Sequence, residues 1–64
     1  MYRLLVFHPG DERPSKTLRM PLASDILESI PRLLKEHEGC ERIEIYLGVS
    51  RLFSVDCDGN TTAG

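Results

Sequence analysis

Between Ser24 and Gly39 the chain carries its one run of helical periodicity, and a 64-residue sequence with a single helix can cover only one face of whatever else it forms. In "SDILESIPRLLKEHEG", Ile26, Ile30, Leu33, Leu34 and His37 recur at spacings of three and four, with Leu27 beside the stripe. Ser24 suits the N-cap, Asp25 and Glu28 suit the positive end of the helix dipole, Glu28 can pair with Arg32, and Gly39 supplies a left-handed stop. The expected helix runs over about 25–38. Pro31 lacks the N–H that would bond Leu27, so a kink or a break is expected there, with a shorter helix from Ser29 as the fallback.

On either side of the helix the period changes to two. Residues 2–8 are aromatic, branched or leucine up to the turn formers of "HPGDERPS"; "KTLRMPL" alternates Leu18, Met20 and Leu22 against Thr17, Arg19 and Pro21. Pro21 restricts this second strand to an edge or a strand end. After Gly39, "ERIEIYL" and "RLFSVDC" read as a hairpin, Ile43, Ile45 and Leu47 in phase with Phe53, Val55 and Cys57. The expected fold is one α+β domain over 1–64 of β-β-α-β-β order: a mainly antiparallel four-stranded sheet with one amphipathic helix on one face. Strands are expected at about 2–8, 16–22, 42–47 and 51–57, with a frayed tail at 59–64.

Strict alternation then divides the strand residues. If the helix packs on Leu4, Val6, Leu18, Met20, Ile43, Ile45, Leu47, Phe53 and Val55, the other face carries Arg3, Leu5, Phe7, Arg19, Glu44, Tyr46, Leu52 and Asp56. A face left to water reads mostly polar, so Leu5, Phe7, Tyr46 and Leu52 point to a surface covered by a partner. Arg3 and Arg19 opposite Glu44 and Asp56 suit a self-complementary contact, making a homodimer the simplest cover. A domain this small buries only about 60% of the surface of its unfolded chain, so help from a partner is physically reasonable.

Chemistry-bearing motifs are sparse. "DCDGN" at Asp56–Asn60 matches the first ligands of a calcium loop, but Thr61 stands where a glycine is needed, the sequence given stops before the bidentate glutamate, and the lead-in has strand periodicity. A turn at a strand end is expected instead. His8, His37, Cys40 and Cys57 are four soft ligands with only one close pair, short of a structural zinc pattern. A nucleophilic pair of Cys40 and His37 lacks an orienting third group. Pairing Ile45 with Phe53 puts Cys57 opposite Glu41 and Cys40 opposite Asp58, so reduced thiols are expected unless a bulge near Leu52 intervenes. The "HPGDERPSK" loop, with its lone Gly10, lacks a phosphate-cradling pattern and reads as a solvated connection.

With eight basic and ten acidic residues mixed along the chain, the net charge of −2 offers no row of cations for a phosphate backbone. The apolar run Leu4–Phe7 is too short for a signal-peptide core, and no segment has the length of a membrane helix, so a cytoplasmic protein is expected. The function expected is a noncatalytic interaction or regulatory module, without cofactor or metal, self-associating through Leu5, Phe7, Tyr46, Leu52, Arg3 and Arg19. Base stacking of nucleic acid on Tyr46 and Phe7, with Arg3 and Arg19 at phosphates, is the alternative. A small Cys/His metal protein or enzyme is a second.

Overall fold

The computed structural model describes residues 1–63. Its elements are β1 (Tyr2–Phe7), β2 (Lys16–Met20), α1 (Ala23–Glu36), β3 (Arg42–Leu47), β4 (Ser50–Asp56) and β5 (Thr61–Ala63). Every pairing is antiparallel, in the order β2-β1-β3-β4-β5. The α+β class with one helix and an antiparallel sheet stands. The strand count is corrected from four to five, because the segment read as a frayed tail folds back onto β4.

Local chemistry explains that return. The Asp56 carboxylate accepts the backbone N–H groups of Asp58 and Asn60, both at 2.9 Å. Two backbone bonds close the same turn, Gly59 N–H to Asp56 C=O and Asp56 N–H to Asn60 C=O. An aspartate capping its own backbone is a turn signal, and the threonines that follow favour extended chain. Elsewhere β2 stops at Met20, where Pro21 removes a ladder donor.

The helix starts two residues earlier than expected. Leu22 holds the N-cap position with no side-chain cap bond, while Ser24 lies inside the first turn. Pro31 is accommodated within a continuous helix on its exposed side. Packing outweighs the missing N–H: Ile26, Ile30 and Leu33, on both sides of Pro31, are all buried against the sheet, and each is worth roughly 1.5–3 kcal/mol. The exit is as the sequence implies, with Gly39 at φ +80° and Cys40 N–H bonded to His37 C=O.

Leu4, Val6, Ile26, Ile30, Leu33, Cys40, Ile43, Ile45 and Val55 form the core between helix and sheet. A helix is about 10 Å across, whereas five strands at about 4.8 Å spacing span roughly 20 Å. One helix therefore leaves part of its own sheet face bare.

Candidate interaction surfaces

The face turned away from the helix is polar and already knitted together. Its rungs, read from the register, are Arg19–Arg3–Tyr46–Arg51, Thr17–Leu5–Glu44–Ser54 and Phe7–Arg42–Asp56. Glu44, 6% exposed, is the hub. It accepts Arg42 Nε at 2.6 Å and the Tyr46 hydroxyl at 2.9 Å, and Arg51 stands 4.0 Å away. Burial alone would raise the Glu44 carboxyl, but the bonds from Arg42 and Tyr46 with the charges of Arg42 and Arg51 outweigh it and hold it below the usual range. The bond to Glu44 raises both the Arg42 guanidinium and the Tyr46 hydroxyl.

The apolar members of this face are largely roofed over. Phe7 is buried, with the Arg42 guanidinium stacked 4.1 Å above its ring. Arg3 lies 5.3 Å from the Tyr46 ring and donates to Gly48 C=O at 2.7 Å. Leu5 is half-buried between Thr17 and Glu44. The structure thus brings Arg3, Leu5, Phe7, Arg19 and Tyr46 onto one face, as alternation requires. Leu52 is not among them.

Leu52 is displaced by a bulge. Ile45 pairs with Phe53, yet Tyr46 pairs with Arg51, so Leu52 has no partner across the ladder. Arg51 takes its place on the polar face, and Leu52 joins Tyr2, Ala23, Ile26, Leu27, Ile45 and Phe53 around a cleft of about 250 Å³ on the helix side. This is the bare strip beside the helix. Ile26, Ile45 and Phe53 lie on the helix side as alternation requires; what sequence alternation missed is Leu52, and Leu27 was visible beside the helical stripe with nothing local to join the two.

Among the described residues, the large hydrophobics most open to water are Met1, Leu22, Leu27, Leu47, Val49 and Leu52. The register explains their grouping. Tyr2 pairs with both Met20 and Leu47, and Leu47 with Ser50, so the start of β1, the end of β2 and the β3–β4 turn lie at one end of the sheet. The helix also begins at that end, after Leu22. Val49, at the turn tip, is 96% exposed.

The opposite end holds the polar loop 8–15, the helix C-terminus and the Asp56–Asn60 turn. Here Cys40 and Cys57 form a disulfide with 5.6 Å between Cα atoms, correcting the expectation of reduced thiols. The bulge is not the cause, because Arg42–Asp56 and Ile43–Val55 keep the register assumed from sequence. Both cysteines lie beyond the last rung, where chains leaving the ladder are free to converge. Nearby, His8 Nε2 and His37 Nδ1 stand 3.3 Å apart, bridging β1 to the helix end. Asp56 spends its oxygens on its own turn, including Asn60 Nδ2 at 3.2 Å. Among the described residues no three His, Cys, Asp or Glu side chains are grouped to hold a metal ion.

No helix of the described residues is long and apolar enough to cross a membrane. The geometry therefore defines a small α+β domain with one polar face, one apolar end and one cross-linked end. No protein family, curated protein or solved structure matches the chain.

Proposed function

We propose that this domain is a noncatalytic protein-interaction module that self-associates through its apolar end. The observation that carries the reading is the gathering of Leu22, Leu27, Leu47, Val49 and Leu52 at one end, beside an apolar cleft. Scattered apolar residues need no explanation, whereas a group gathered at one end, two of its members lining a concavity, calls for one. The contact moves from the sheet face, which supplies its own cover, to this end.

A second copy is the occupant that the shape favours. Val49 projects from a two-residue turn and the cleft is concave, so a two-fold arrangement can seat each tip in the other's cleft. The sheet edge at β2 is a poorer docking site, since Pro14, Lys16, Arg19 and Pro21 guard it. A stable contact of about 800 Å² per partner would cover roughly a fifth of the 4246 Å² that the chain exposes. The nucleic-acid alternative keeps a row of Arg19, Arg3, Tyr46 and Arg51, but Phe7 offers no open ring and the Tyr46 hydroxyl is engaged by Glu44.

Sedimentation equilibrium over a dilution series tests the proposal. The wild-type protein is expected to associate, with Val49→Asp and Leu27→Ser monomeric, Tyr46→Ser unchanged, and Val49→Asp matching the wild-type melting temperature at concentrations where the wild type is dissociated. A monomer at every concentration, or undiminished association of Val49→Asp, would overturn it.

A further inference from the structure

We propose that the Cys40–Cys57 disulfide is a reversible redox lock on β5, opened by a thiol reductant that attacks at Cys57, the less buried of the two half-cystines. The two half-cystines are unequal. Cys40 is 5% exposed, belongs to the core, and is held by its own N–H bond to His37 and by the adjacent bond from Glu41 N–H to Phe7 C=O. Cys57 is half-buried, the first residue past β4, and begins the turn leading to β5. The difference in burial makes Cys57 the expected point of attack for an incoming thiolate.

The exchange balances with a dithiol as reductant. Its thiolate attacks Cys57 Sγ, a mixed disulfide forms there, and Cys40 leaves as a thiolate that takes up a proton. The second thiol of the reductant then attacks its own mixed-disulfide sulfur and releases Cys57 as a thiol. Two electrons pass to the protein and the reductant becomes a cyclic disulfide.

The structural consequence falls on one side of the broken bond. Reduced Cys40 keeps its place, because a buried thiol packs as a small apolar side chain. Residues 58–63 lose their covalent tether and retain only the Asp56 turn and three register pairs, Phe53–Ala63, Ser54–Thr62 and Val55–Thr61. So short a strand is marginal alone. Its release makes β4 the edge of the sheet, exposing the backbone groups of Phe53–Val55 that β5 had paired. Core, helix and apolar end stay folded, so the lock acts separately from the self-association proposed above.

Hydrogen exchange read by mass spectrometry, on the wild-type protein before and after dithiothreitol, tests this. Protection in residues 58–63 is expected to fall to near that of open chain, while β1 and β3 lose only what the lower global stability removes and stay protected, local opening being distinct from global unfolding. Complete loss of protection in all strands, or unchanged protection of β5, overturns the proposal. A brief pulse of 2-mercaptoethanol followed by acid quenching supplies the second readout: the adduct is expected on Cys57, and an adduct mainly on Cys40 overturns the assigned point of attack.

Discussion

The two ends of this sheet hold the chain by different physics. At one end the Cys40–Cys57 bond, the His8–His37 contact and the Asp56 turn fix loops with covalent and directional links. At the other the strands meet in a two-residue turn, and apolar side chains stand open around a cleft. The cross-linked end is closed by side-chain links, two of them between residues far apart in sequence. The remaining apolar surface then collects where the helix is too narrow to cover the sheet.

The largest effect should come from cutting the cross-linked end. The bond spans 17 residues of sequence, and closing a loop of about that size is worth about 3 kcal/mol. The double variant Cys40→Ala/Cys57→Ala is expected to melt on the order of 15 °C lower than the oxidised protein, given the shift per kcal/mol in domains of this size. Its self-association should persist at temperatures where it is folded. Loss of association along with stability would show that the two ends are not independent.

The helical stripe and the phase of Ile43, Ile45 and Val55 were legible from sequence because burial imposes them directly. The misplacement of Leu52 has a cause that two sequence features jointly contain. A two-residue turn at Gly48–Val49 pairs Leu47 with Ser50, whereas the apolar phase pairs Ile45 with Phe53. The two registers differ by one residue, and only a bulge between them reconciles both. Strict alternation through β4 ignored the turn. The disulfide and β5 were illegible for another reason: both lie past the last β3–β4 rung, where pairing rules give no position.

A smaller effect is expected at the apolar end from Gly48→Ala. Gly48 has φ +63°, and nothing lies within 4 Å of a Cβ added there, so the cost is conformational and not steric. Gly at the first central position with a negative φ at the next fits a type II′ hairpin turn. Alanine there should cost about 1 kcal/mol in a urea melt. Association should weaken as well, because the turn that presents Val49 is disturbed. A variant equally destabilised but associating normally would argue that Val49 is not a contact.

The smallest effect isolates the turn at the locked end. Hydrogen bonding from the Asn60 backbone, first, and then from the Asn60 side chain and the Asp58 and Gly59 backbones, holds the Asp56 carboxyl below its ordinary range, against a smaller opposing effect of burial. A carboxyl depressed in the folded state stabilises fully above its unfolded value of about pH 4, and that contribution is lost as pH falls through the folded value. Protection of β5 amides in the oxidised protein should therefore decline below about pH 4, once the intrinsic pH dependence of exchange is removed. Asp56→Asn retains an acceptor oxygen but cannot titrate, so its β5 protection should start lower and vary less over the same range. If both proteins lose β5 protection in parallel as the solution is acidified, Asp56 is not what ties the fifth strand to the turn, and the disulfide holds it alone.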